Sequence, residues 1–298
     1  MKRLFASFSG GETSAYMTHL LLTKWRPLYD EVVVAFANTG EENEETLSFV
    51  RECDLRMGFG TVWVEAEVQH GRRAMTTHRI VTFDTASRNG HPYEEHIKKF
   101  GIPNTNMPHC TRELKQRPLQ SYLSSLGWPK GSYDTAIGIR ADEQGRRSPN
   151  QSTNRMVYPL LDLQPTTKPM VNLFWSQQSF RLNLMGYQGN CKWCWKKSLP
   201  KLLAVMDDNP AAFDFPERME ATYGEVGAEF QKEYRPGYKR VFFRGNLSTK
   251  GLRELYENHK DNLPAIMDDA AVLPIPDLLS GLTDGCIESC EVNFEEAA

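Results

Sequence analysis

Apolar and polar positions fall into blocks of two kinds along the first 66 residues. Short apolar runs at Leu4 to Phe8, Val32 to Ala37 and Val62 to Val64 alternate with longer stretches in which apolar residues return at helical spacing, the first reaching Leu22. That order predicts βαβαβ and hence a parallel sheet. Val32 to Ala37 has no polar face, so its strand is expected to be buried on both sides, as in a doubly wound α/β sheet covered by helices. A further strand is expected at Thr135 to Ile139. Residues 84 to 112 carry Asn89-Gly90, His91-Pro92, Pro103-Asn104 and Met107-Pro108 and predict loops broken by one short helix. The polar stretch Asp142 to Asn154 predicts a mobile surface segment. Helices are expected near 170 to 184, 196 to 208, 216 to 232 and 247 to 258, followed by a proline-punctuated acidic tail. The expected organisation is therefore an α/β core over 1–168 and a helical C-terminal part over 169–298.

Composition excludes some classes. In 298 residues, 40% hydrophobic and 24% charged, no apolar run nears the roughly 20 residues needed to cross a bilayer, so no membrane partner is expected. Met1-Lys2-Arg3 leads straight into an apolar strand without the pattern of a secretory leader, and a cytoplasmic protein is expected. A net charge of −3 gives no global attraction to nucleic acid, although a local basic face would still allow it. Nothing in the pattern fixes an oligomeric state. Six cysteines in such a chain point to metal binding or chemistry rather than to disulfides. Cys53 reads as core. Cys110, the Cys191-Lys192-Trp193-Cys194 pair, and Cys286 with Cys290 sit in polar or turn-rich contexts and are the candidates.

Ser9-Gly10-Gly11-Glu12-Thr13-Ser14 joins a predicted strand to a predicted helix, where backbone N–H groups and the helix dipole make an anion site. Glycines let the backbone approach phosphate, and hydroxyls add donors. The loop lacks the lysine of the Walker pattern, so that mechanism does not transfer, and a helix cap after a tight turn would leave the same trace. Glu12 is out of place, because a carboxylate repels phosphate unless it points outward or meets Mg²⁺. Arg140 follows a strand end at the edge where open α/β sheets bind ligands and reads as a phosphate contact; Asp142 and Glu143 read as Mg²⁺ ligands or helix-capping acids. Lys239 to Arg244 interleaves basic and aromatic residues, as a strand edge or a single-strand clamp would.

These elements resemble the ATP pyrophosphatase superfamily, whose PP-loop reads Ser-Gly-Gly-x-Asp/Thr-Ser, and within it the PAPS reductase-like branch. Asn38-Thr39-Gly40 with Glu45-Thr46 is similar to the Asp-Thr-Gly-x4-Glu-Thr element of sulfonucleotide reductases, and Gly138-Ile139-Arg140 to their Gly-Leu-Arg element. Ser87-Arg88-Asn89-Gly90 resembles a stretch of phage-encoded members. The resemblance spans about residues 3 to 200 and implies a Rossmann-like fold of the adenine nucleotide alpha-hydrolase type. It implies nucleotide contacts from Ser7, Ser9, Gly10, Gly11, Thr13, Ser14, Asn38, Thr39, Gly40 and Gly138, with catalytic roles for Cys110, Lys115 and Arg140.

Cys110 to Leu119 is similar to the Cys-Cys-x-x-Arg-Lys-x-x-Pro-Leu element of APS reductases, with Thr111 in place of the second cysteine, and Gly186 to Cys194 to their Gly-Tyr…Cys-x-x-Cys element. The resemblance implies a [4Fe–4S] cluster on Cys110, Cys191 and Cys194 with one iron open, zinc being the alternative. Sulfonucleotide reductases lack the double glycine because their substrate is already adenylated. The intact Gly10-Gly11 pair therefore implies an ATP-dependent, adenylating sulfurtransferase that uses ATP, Mg²⁺ and a sulfur donor and acts on an acceptor such as tRNA or DNA. The alternatives are a reductase forming sulfite from APS or PAPS with a reductant, and a silent nucleotide-binding protein.

Overall fold

The computed structural model describes residues 1–71, 74–228 and 236–263. Six strands form one sheet in the order β4-β3-β2-β1-β5-β6: β1 (Arg3–Ser7), β2 (Glu31–Asn38), β3 (Val62–Glu67), β4 (Thr77–Val81), β5 (Asp134–Ala136) and β6 (Met156–Val157). All neighbours run parallel except β3 and β4. Helices α1 (Glu12–Thr23) and α2 (Glu44–Met57) make the first two crossovers. Residues 68–76 are too few for a crossover helix, so β4 returns antiparallel as an edge strand, which the sequence pattern did not show. The chain builds β2 and β3 on one side of β1 and β5 and β6 on the other. β1 and β5 thus flank the reversal of strand order, beyond whose carboxyl ends such sheets bind ligands.

Alternate residues of the central strands feed two cores. Leu4, Ala6, Phe8, Val34 and Phe36 pack beneath α1 and α2, while Phe5, Ala35, Ala37 and Val64 meet Leu119, Leu123 and Tyr133 on the opposite face. That face is covered by α4 (Arg117–Ser125). A short α5 (Pro159–Asp162) leads to α6 (Lys168–Ser176), which packs on α1. Val171 and Trp175 of α6 belong to the first core, so the helix that opens the expected C-terminal part is built into the α/β core.

A third core joins α3 (His91–Phe100), α7 (Leu199–Asp208), α8 (Asp214–Tyr223) and α9 (Thr249–His259) around Tyr93, Trp193, Phe213, Phe215 and Phe242. Two expected helices are shorter than their patterns. α6 stops at Ser176, where the polar Gln177-Gln178-Ser179 follows, and α8 stops at Tyr223 before Gly224. The segment after Arg140 lies mostly at the surface, with Ala141–Arg146 in a 3-10 turn, and is anchored at the buried Ser148, whose backbone N–H donates to the Tyr158 hydroxyl at 3.1 Å. Phe242, Phe243 and Arg240 are buried, so this basic-aromatic stretch turns its rings inward instead of forming a clamp. Cys286 and Cys290 lie outside the described residues.

Candidate active site

The loop after β1 carries the turn into α1. Gly10 sits at φ 83°, and a Cβ there would come 2.7 Å from Thr46 Cγ2, so only glycine fits. Gly11, the residue before α1, has an ordinary φ of −99°, and a Cβ there would meet nothing closer than Ser9 Oγ at 3.9 Å. The fold itself leaves that space open, and the space belongs to a cleft. Ser14 Oγ donates to the Gly11 carbonyl at 3.0 Å, receives the Ser9 N–H at 3.2 Å and lies 2.8 Å from Ser9 Oγ, which fixes the loop against the first turn of the helix.

Glu12 is explained by a partner far along the chain. Arg181 Nε and Nη2 meet its two carboxylate oxygens at 3.1 and 3.2 Å, a bidentate pair that neutralises the acid within the loop. Trp175 Nε1 donates to the Glu12 carbonyl at 2.9 Å, tying α6 to the same turn. Arg140 is almost fully buried and donates from Nη1 to Thr13 Oγ1 at 3.1 Å. Asp142 and Glu143 are salt-bridged to this guanidinium, so both expected Mg²⁺ ligands are turned toward Arg140. Arg146 pairs with Glu143, Arg147 with Asp162 and Arg155 with Asp134.

Ser9 to Ser14 form one wall of a cleft that opens to solvent. Leu182, Leu184, Met185, Gly186, Gly189 and Asn190 form the opposite wall, and Glu42, Thr46, Lys115 and Lys168 complete it. Lys115 rides on a π-helical turn, Arg112–Gln116, with Nζ 3.9 Å from Glu42 Oε1. The cleft thus brings together Ser9, Gly10, Gly11, Thr13, Ser14 and Lys115. Ser7, Asn38, Thr39, Gly40 and Gly138 lie behind it, all buried. Asn38 Nδ2 donates to Glu65 and to the Ser87 carbonyl, and Gly40 at φ 83° packs on Gly90. Gly90 in turn has Phe215 and Glu41 within 2.5 Å of where a Cβ would stand, which accounts for the Asn89-Gly90 turn.

The cysteines gather on the other side of Glu42. Thr39 Oγ1 donates its single hydrogen to Glu42, which leaves the Cys191 thiol as donor in its 3.5 Å contact with the same oxygen. Glu42 and Cys191 are also paired through a backbone bridge. Cys194 closes a turn on the Cys191 carbonyl, and the buried Lys197 ammonium caps that carbonyl and Gly189's. Cys110, Cys191 and Cys194 all surround the buried Tyr93 hydroxyl; burial first, and then these thiols, push its pKa well above the ordinary value. Cys110 is the half-exposed member. Thr111, in the place of a second cysteine, accepts from Lys196 Nζ at 3.3 Å.

Among the described residues no group of three or more His, Cys, Asp or Glu side chains is arranged to hold a metal ion. Cys110, Cys191 and Cys194 belong to no such group as arranged, and Thr111 stands in the fourth place. Two further buried features border them. Glu41 accepts the Trp193 indole N–H at 2.6 Å, and burial raises its carboxyl to about 7. His109 Nδ1 lies 2.8 Å from His96 Nε2; burial, then Arg240 and Arg112, lower His109 to about 4. Sequence reasoning missed Arg181, Lys168, Tyr93 and the cleft lining at Leu182, Leu184 and Met185, and it read Gly186 to Asn190 as part of the cysteine element only. Glu42 had a signal, an acid just past the carboxyl end of a central strand.

A family model described as the phosphoadenosine phosphosulfate reductase domain matches residues 3–167. The chain is also 31% identical to the uncharacterized nin region protein ORF290 of Escherichia phage lambda, over 96% of this chain and 93% of that one.

Proposed function

The chain belongs to the family of phosphoadenosine phosphosulfate reductase domains, and from that premise we propose that it binds ATP at the Ser9–Ser14 loop, adenylates an acceptor and transfers sulfur to it. The observation that carries this reading is the glycine pair. Gly10 is required by the turn, but the room beside Gly11 serves only something that enters the cleft, as a phosphate group approaching the backbone would.

In the proposed reaction an acceptor oxygen attacks the α-phosphorus and pyrophosphate leaves. The loop N–H groups and Lys115 stabilise the charge on the phosphoryl oxygens, while Arg140, held by Asp142 and Glu143, positions the Thr13 hydroxyl. Mg²⁺ bound with the nucleotide would supply charge neutralisation, and Glu42 is the cleft carboxylate placed to hold it. Because the thiols form no metal-holding group as arranged, sulfur is assigned to Cys110: a persulfide donor passes its outer sulfur to the Cys110 thiolate, that sulfur attacks the adenylated carbon and expels AMP, and a thiol reductant then cleaves the resulting acceptor–Cys110 disulfide to release the thiolated acceptor. Bulk tRNA, DNA and small molecules are the acceptor classes to try.

A second reading, reduction of APS or PAPS to sulfite, is favoured by the family match. It differs in its products. Pyrophosphate release from ATP that depends on acceptor, and that continues over many turnovers only with a persulfide donor and a thiol reductant, is the expected result; sulfite formed from PAPS with no pyrophosphate from ATP under any acceptor would sink the first reading.

A further inference from the structure

We propose that Lys168 is a specificity-determining residue that binds the pyrophosphate end of ATP, a role that rests on the ATP reading above. The Ser9–Ser14 loop follows β1, which β2 and β5 flank. Lys115 and Glu42 line the cleft on the β2 side, where Glu42, just past that strand, is bridged to Cys191, so this end faces the thiols. Lys168, at the start of α6, lines it on the β5 side, two residues beyond Thr166, whose carbonyl accepts the N–H of Ala141 just past β5. In-line displacement at phosphorus puts the attacking and leaving oxygens on opposite sides. An acceptor that must afterwards meet sulfur approaches from the cysteine end. The leaving pyrophosphate then points to the end where Lys168 stands.

The helix holds this ammonium in place. Lys168, Val171 and Trp175 occupy one face of α6 at i, i+3 and i+7. Val171 and Trp175 are fully buried, and the Trp175 indole is bonded to the Glu12 carbonyl of the loop. The half-buried Lys168 is thereby fixed relative to the loop and aimed along the same face. APS and PAPS carry no β,γ-pyrophosphate, so a cation at this end selects for ATP over a sulfonucleotide.

The test is equilibrium binding of ATP, magnesium pyrophosphate and AMP to the full chain and to Lys168→Met, Lys168→Arg and, as a distant surface control, Lys250→Met, all checked for equal thermal midpoints. Lys168→Met is expected to weaken ATP and pyrophosphate by about tenfold to a hundredfold, the usual worth of a charge-assisted hydrogen bond, and AMP by less than about twofold. Lys168→Arg should restore most of the loss, and Lys250→Met should change nothing. Wild-type affinities for ATP and pyrophosphate in Lys168→Met overturn this inference alone, as does an equal loss of AMP. A wild-type protein that binds neither ATP nor pyrophosphate overturns the ATP reading and this inference with it.

Discussion

Gly10 and Gly11 stand side by side, yet the protein's own packing requires the first alone. Gly10→Ala would force a left-handed alanine against Thr46 and is expected to cost about 2–4 kcal/mol in chemical denaturation. Gly11→Ala keeps an allowed backbone and should cost at most about 1 kcal/mol as a poorer helix cap. The same change should weaken ATP binding at least about tenfold, because its methyl occupies the space a phosphate needs. Unaltered ATP affinity in a folded Gly11→Ala protein would remove the loop from the binding site. Glu12 gives a second test at this scale. Arg181→Ala strands a buried carboxylate beside the phosphates and should weaken ATP binding, and adding Glu12→Gln should restore it. If the double variant binds no better than Arg181→Ala alone, charge is not the cause. The loop was legible in the sequence because its residues are contiguous; the answer to Glu12 was not, since Arg181 lies 169 positions away.

Helix α6 shows why elements were legible in outline and not in role. Its Val171 and Trp175 spacing predicts a helix, and the helix is there. Nothing in that spacing says that its buried face would lock onto the first turn of α1, which is decided by packing. Trp175→Phe removes the indole bond to the Glu12 carbonyl and leaves a small cavity. It is expected to cost about 1–3 kcal/mol and to loosen ATP binding, read by thermal unfolding and titration. Strand β4 escaped for another reason. Arg79 and Ile80 are exposed on an edge strand, so its apolar pattern is weak, and its direction follows from the short 68–76 connection. The π-helical turn at Arg112–Gln116 has no sequence signature of its own, although the Cys110 to Leu119 element around it was recognisable.

At the scale of the whole molecule, buried titratable groups set opposing pH dependences. Glu41 has a folded pKa of about 7 against an ordinary 4.5, so the folded state holds more protons than the unfolded one between those values. Its contribution is present below pH 4.5 and is lost as pH rises to 7, a change of about 3 kcal/mol. His109, lowered to about 4, acts the other way: the unfolded state holds more protons, so its contribution is present above pH 6.5 and is lost as pH falls toward 4. Glu41→Gln should therefore steepen the loss of stability on acidification and raise stability at pH 8. Denaturation midpoints from pH 4 to 8 measure both; a pH profile unchanged by the substitution would show that Glu41 stays ionised. Metal analysis belongs to the same scale. Anaerobically prepared protein is expected to carry no stoichiometric iron, whereas about four irons per chain would move the sulfur from Cys110 to a cluster.

The cleft's second wall, residues 182–190, lies beyond the stretch 3–167 that matches the family model. Much of the cleft's lining is thus supplied by a part of the chain that the family signature does not include. A segment cut at residue 167 and grafted into another protein would take the phosphate loop with it but leave behind Arg181, Lys168 and one side of the groove. Chain exchange between relatives would preserve activity only when both parts travel together, so chimaeras joined after residue 190 should bind nucleotide where those joined at 167 do not.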